Sequence, residues 1–259
     1  MTSVLWAELT AAELRHAAAS GAVAVLPVAA LEQHGPHLPT MVDTRCCSAI
    51  AERGAALAAS RGAPAVMLPC VWSGMSEHHL PFGGTASLSF DAFRAVILGV
   101  AQSVRISGFE KLFVLNGHGG NIAALPIILQ EASAIPGLRC AGGTYWFMAE
   151  AAMRPILEDQ PGVRHACEAE TSMMMALEPH LVRTEHLLAA VGGDAPTRSA
   201  GIADPVFVWR DFSERSVSGV IGDARRATAA KGERLLDVAA EALAAAIANP
   251  RYWQKQQPL

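Results

Sequence analysis

Glu32 and His34 stand two residues apart in the run Leu31-Glu32-Gln33-His34-Gly35-Pro36-His37-Leu38-Pro39, and Asp43 follows shortly after. In an extended segment, residues i and i+2 project to one face with Cα atoms roughly 7 Å apart, so both side chains can reach one cation or a close pair. The plainer reading is a polar turn in which Glu32 caps backbone, His34 is solvated and Asp43 is a helix N-cap. A second turn, Asn116-Gly117-His118-Gly119-Gly120-Asn121, sets glycines on both sides of His118, which lets the chain turn sharply and leaves the imidazole uncovered. A phosphate cradle would need a Gly-rich loop of the P-loop or dinucleotide spacing, or a nearby lysine, and this turn has none of them. Carboxylate oxygens and imidazole nitrogens gathered in this way are ligands for a catalytic divalent cation, which points to metal-assisted hydrolysis.

A third group, His165-Ala166-Cys167-Glu168-Ala169-Glu170-Thr171-Ser172, opens an apolar helix, where Glu168 and Glu170 would suit the helix dipole even without a chemical role. Cys167 beside His165 raises a thiol-hydrolase alternative, against which stands the usual fate of a helix-adjacent thiol as a small buried hydrophobe. His78 and His79 lie in a long loop, where they either line a pocket or are exposed. Met173 to Met175 reads as core filling.

These residues need elements to hold them. Thr10 and Glu13 make a capping box for a first helix that Gly21 stops. A strand from Ala22 to Val28 leads to the Glu32 turn, a helix spans Thr44 to about Ser60, and a buried strand runs from Pro64 to Cys70. A helix capped by Ser89 ends near Gly108, a strand covers Lys111 to Leu115, and Ile122 to about Ala134 is helical. The second half reads as a strand near Arg139 to Phe147, a helix around Met148 to Leu157 and a terminal helix from about Asp223 to Ala248. Strand and helix alternating at this spacing predict right-handed crossovers and a mostly parallel sheet, with ligands beyond the carboxyl ends of its strands. Glu32, His34, Asp43 and His118 all fall at that end.

The chain of 259 residues shows no Pro/Ser-rich or charge-rich linker, so residues 1–259 read as one α/β domain. Lysines and arginines are scattered and the formal net charge is −4, which argues against a nucleic-acid surface. Five cysteines without a C-x-x-C pair fit a reducing cytoplasm, and no apolar run approaches membrane-spanning length. Only the tail at Gln254-Lys255-Gln256-Gln257 reads as disordered.

The blocks from Leu26-Pro27-Val28 through Asp43, from Asn116 to Asn121 and from His165 to Ser172, with Gly83-Gly84-Thr85 and Ser218 to Asp223, resemble the signatures of the creatininase (creatinine amidohydrolase) family. The likeness extends over nearly the whole chain. It implies a three-layer α/β/α sandwich, two divalent ions of Zn, Mn or Fe, and hydrolysis of unusual amide C–N bonds. It implies Glu32, His34, Asp43 and His118 as ligands with Asp43 bridging, His165 and Glu170 as acid/base histidine and accompanying glutamate, and a homo-oligomer, often a hexamer.

Two departures stand out. Creatininase has a Tyr-Glu pair after the metal histidine, the Glu a ligand, where this chain has Gly119-Gly120. Glu168 stands where creatininase has an apolar residue, and the expectation is that it supplies the missing carboxylate. Creatininase also brackets its substrate with tryptophans, one of them directly before the acid/base segment, where this chain has Pro161-Gly162-Val163-Arg164. These departures speak against creatinine itself, and the expected substrate is a small cyclic amide, a formamide, or a short peptide as in mycofactocin-maturation peptidases, with Trp72, His78, Trp146 and Arg164 lining the pocket. The non-enzymatic alternative is a metal-holding binding or assembly subunit.

Overall fold

The computed structural model describes residues 3–193 and 208–254. In chain order its helices and strands are α1 (Ala11–Ala19), β1 (Val23–Val28), α2 (Val42–Ser60), β2 (Ala65–Met67), α3 (Phe90–Ile106), β3 (Lys111–Asn116), α4 (Leu125–Ala132), β4 (Arg139–Thr144), α5 (Tyr145–Met148), α6 (Glu150–Met153), α7 (Glu168–Leu177), β5 (Val191–Gly192), β6 (Gly222–Asp223) and α8 (Ala229–Ala248). Short 3-10 turns fill several of the connections.

The four long-range strands form one parallel sheet in the order β2-β1-β3-β4. The chain leaves β1 to one side to make β2 and returns to the other side for β3. The junction of β1 and β3 is therefore a topological switch point, where the crossovers diverge and leave a crevice beyond the strand ends.

Period-2 alternation sorts the apolar side chains into two cores. Val23 and Val25 of β1 with Phe113 and Leu115 of β3 pack against α2, α7 and α8. Ala24, Leu26 and Val28 with Leu112 and Val114 pack against α1, α3 and α4 on the opposite face. Both faces of the sheet are thus dry, which a parallel sheet requires, and the three-layer α/β/α sandwich stands as expected.

The caps read from sequence are present. Thr10 and Glu13 make both bonds of the capping box, and Ser89 Oγ accepts from the Ala92 N–H.

Several boundaries differ. The strand expected from Pro64 to Cys70 is only Ala65–Met67, and the one expected to reach Phe147 ends at Thr144, with Tyr145–Met148 already helical. The helix expected over Met148 to Leu157 breaks into α6 and a 3-10 turn at Arg154–Ile156, where Pro155 cannot donate to a helical ladder. The antiparallel pair β5–β6 is too short to announce itself in sequence. Apart from Gln254, the tail expected to be disordered lies outside the described residues.

Candidate metal centre

The loop after β1 carries Glu32 and His34, the first turn of α2 carries Asp43, the turn after β3 carries His118, and the first turn of α7 carries Glu170. All five converge beyond the β1/β3 switch point and all are buried. Asp43 sits between the two histidines, with Oδ1 3.1 Å from His34 Nε2 and Oδ2 2.9 Å from His118 Nδ1. On one side, His34, Asp43 and Glu170 bring ligand atoms within 4.8 Å of one another, and on the other so do Glu32, His78 and His118.

Each histidine turns its remaining nitrogen to a backbone carbonyl. His34 Nδ1 is 3.1 Å from Glu32 O, and His118 Nε2 is 3.0 Å from Met75 O. A carbonyl acceptor at the far nitrogen fixes the ring so that the near nitrogen's lone pair faces the ligand position, the second-shell pattern of metal-binding imidazoles. Glu32 Oε2 is buried without a hydrogen-bond partner, 3.3 Å from His118 Nδ1. A buried carboxylate oxygen left bare costs several kcal/mol unless a cation meets it, so the donor set fits divalent metal.

The electrostatics agree. Burial alone would raise the Asp43 carboxyl, but His34 and His118 beside it hold it well below the usual range. Burial pushes Glu170 up to about 8, against the pull of His34 and with the repulsion of Asp43. His34 is raised to about 9 because Asp43, Glu170 and Glu32 together outweigh its burial.

His165 faces the same cluster. Its Nε2–H donates to Gln33 O at 2.8 Å, and its Nδ1 lies 3.6 Å from Glu32 Oε1. Burial, then the nearby His34, push its pKa well below 6.5, so the ring is neutral with Nδ1 available as an acceptor. Ala166, next in the chain, has φ +53°, and its N–H donates to Glu170 Oε2 at 2.6 Å. A non-glycine residue in the left-handed region is strained by roughly 1–2 kcal/mol, and here the strain aims Glu170 and His165 at one place.

Glu168 is not in the cluster. Its carboxylate is fully buried but accepts from Lys231 Nζ at 2.5 Å and from the N–H groups of Glu158 and Asp159, each at 3.0 Å. The reason is helical phase. α7 begins at Glu168 itself, and two residues along a helix turn the side chain by about 200°, so Glu170 and Glu168 face opposite ways. No side chain fits at Gly120 either, because a Cβ there would lie 2.0 Å from Met75 O and 2.5 Å from His118 Nε2. Glu170 is the carboxylate that stands beside His34 and Asp43.

Of the expected pocket residues, His78 is in the site, stacked on His118 with ring centroids 5.8 Å apart. Arg164 flanks His165, with its N–H donating to Cys167 Sγ at 3.2 Å. Trp72 is 54% exposed, and its carbonyl accepts from Thr44 Oγ1. Trp146 packs edge-on against Tyr145 and borders the core between α2, α7 and α8. Burial pushes the Cys167 thiol up to about 11, with Glu170 adding to the effect, which makes it a poor nucleophile.

Sequence reading left several site residues unassigned. Gln33 Nε2 donates to His79 Nδ1 at 2.9 Å, and His79 Nε2 stands 3.2 Å from Glu32 Oε1. Phe212 closes the wall, its ring 4.2 Å from His79 and 4.6 Å from His165. Gln33 could have been suspected from its place between two ligands, but nothing in the local pattern marks Phe212.

Comparison with known proteins gives the same direction. The chain is 33% identical over 216 residues to the mycofactocin precursor peptide peptidase of Mycobacterium tuberculosis, covering 82% of this chain and 78% of that one. It is 29% identical over 268 residues to the creatinine amidohydrolase of Pseudomonas putida, covering 95% and 96%. A crystal structure of creatinine amidohydrolase matches with a TM-score of 0.80 at 26% identity, covering 98% of this chain and all of that one. A manganese creatininase matches with a TM-score of 0.75 at 27% identity, covering 95% and 97%. The creatininase (creatinine amidohydrolase) family profile matches residues 7–247, and the chain belongs to the creatininase family.

Proposed function

We propose that this hydrolase cleaves a C–N amide bond in a small cyclic amide, a formamide or a short peptide, using two divalent ions held by Glu32, His34, Asp43, His118 and Glu170. The observation that carries the reading is Asp43, buried with one oxygen on each histidine, beside the bare Glu32 Oε2. Three carboxylates against two dications leave the site near +1, favourable to a developing oxyanion. Such ions, when bound, supply Lewis-acid polarisation of a carbonyl and lower the pKa of water.

The chain's own residues then handle the proton. His165 presents Nδ1 to the cluster while Gln33 O holds its Nε2–H, so the ring takes a proton at Nδ1 and returns it there to the departing nitrogen. Glu170, pinned by the Ala166 N–H, stays in place through that exchange. A proton-accepting histidine has no use in a purely structural site, which argues for an enzyme over a binding subunit.

Zinc, manganese and iron all suit this donor set. The test is metal content per chain, measured with and without chelation, alongside a screen of small amides. Two ions per chain, with turnover lost on chelation and restored by metal, support the reading. A protein that takes up no transition metal, or that turns over equally well when stripped, rejects it. Among the described residues no helix is long and apolar enough to cross a membrane.

A further inference from the structure

Arg215 follows the 3-10 turn Phe212–Glu214, with its guanidinium carbon 5.4 Å from the centroid of the Phe212 ring. That ring also touches His79 and His165, so the arginine and the metal centre share one wall residue. On the same wall Trp209 meets His78 edge-on at 6.0 Å and leaves 57% of its surface to solvent.

Arg215 is only partly exposed, yet no carboxylate among the described residues lies within 4.0 Å of its guanidinium. Among the described residues, the arginine ion pairs are made by Arg45, Arg53, Arg61, Arg94, Arg225 and Arg226. The contrast shows in its acidity. Carboxylate partners raise Arg53, Arg61, Arg94 and Arg225, whereas burial lowers Arg215 with nothing to offset it. An aromatic face makes good only part of the hydration that a guanidinium loses, and its planar fork of donors matches a carboxylate two bonds at a time.

We propose that Arg215 receives a carboxylate of the substrate, so that the amide cleaved at this centre belongs to an anionic molecule, an N-acyl amino acid or the C-terminal end of a short peptide, with its apolar part against Trp209 and Phe212. This rests on the amidohydrolase reading and narrows it. A carboxylate fixed on Arg215 would orient the neighbouring amide towards Glu32, Asp43 and His165, and neutral cyclic amides would lack that anchor.

The test uses metal-loaded wild-type protein with Arg215→Gln and Arg215→Lys. The probes are N-acetyl amino acids and dipeptides, each as the free acid and as the C-terminal carboxamide. Calorimetry reads binding for every pair, and kcat and KM are measured wherever hydrolysis occurs. The expected result is at least tenfold tighter binding of free acids by wild type, erased in Arg215→Gln with the loss falling on KM and partly kept in Arg215→Lys. Comparing the two probe series separates acyl amino acids from peptide ends.

Equal binding of acids and carboxamides by wild type, a preference that survives in Arg215→Gln, or no binding of any free acid overturns the assignment. Metal content of each variant guards against a misfolded site. A wild-type protein without metal would sink the amidohydrolase reading itself, whereas a loaded protein indifferent to carboxylates sinks only the role of Arg215.

Discussion

His37 is wholly buried, its Nε2 2.7 Å from Thr171 Oγ1 and its Nδ1 without a partner. Burial, then the nearby His34 and His186, lower its pKa to about 4. A histidine whose folded pKa is depressed favours the neutral form, so its contribution is whole above about pH 6.5. It is lost as pH falls towards 4, where the unfolded chain is protonated and the folded chain is not yet. The shift corresponds to about 3 kcal/mol at most. His37→Gln, which keeps a polar group for Thr171 but cannot titrate, should lose less stability than wild type between pH 7.5 and pH 4.5 in urea unfolding. Equal losses in both proteins would contradict the assignment. His165 makes a separate prediction. With its lone pair facing the cluster but outside the proposed ligand set, His165→Ala should keep its metal and lose about 10²–10⁴ in kcat. Near wild-type turnover would remove it from the chemistry.

Among elements, the start of α7 decides the site, since it carries Glu170 and follows His165 directly. Its N-cap, Cys167, makes no side-chain cap bond. The turn is held instead by Glu168, which ties the 158–159 backbone to Lys231 at the start of α8, and by Ser172, whose Oγ accepts from the Thr228 N–H. Gly232 permits the close crossing of α8 over α7, because a Cβ there would sit 1.9 Å from Ser172 O. Lys231→Met should strand a buried carboxylate and cost about 3 kcal/mol. Adding Glu168→Gln should restore much of that, because a neutral amide needs no counter-ion. If the single variant unfolds at the wild-type urea concentration, Glu168 is not held by this pair. The same helix shows where sequence reading stops. β1, β3 and α2 are long and periodic enough to be placed from pattern alone; Asp43 lies in the first turn of α2, and Glu32, His34 and His118 lie in the turns that follow β1 and β3. Choosing Glu170 over Glu168 needs the helix start to within one residue, which pattern does not give. Phe212 and Arg215 belong to the three-residue 3-10 turn Phe212–Glu214 and the residue after it, too short for periodicity to develop, and only tertiary packing brings them to the site.

At the scale of the whole molecule, the cluster is where four segments from the sheet's edge and from two crossing helices meet. Three buried carboxylates drawn together repel one another, and only buried histidines and hydrogen bonds from the protein oppose that. Folding gathers these donors at the switch point, where Glu170 and His34 hold protons until a cation displaces them, and such a ligand finds the assembled site only in the folded chain. Any such ligand stabilises by mass action, by about 2.7 kcal/mol at one hundred times its dissociation constant, and by about twice that for two independent ions. Stripping metal should lower the urea midpoint, and reloading should restore it. The gain should grow with pH, because His34, raised to about 9, and Glu170, raised to about 8, must give up protons before their lone pairs can bind a cation. Proton release on titrating metal into the stripped protein, measured in buffers of different ionisation enthalpy, checks the same linkage. Identical unfolding curves for loaded and stripped protein would mean that the cluster is satisfied by its own hydrogen bonds, and that Glu32 Oε2 stays bare for a reason other than a cation.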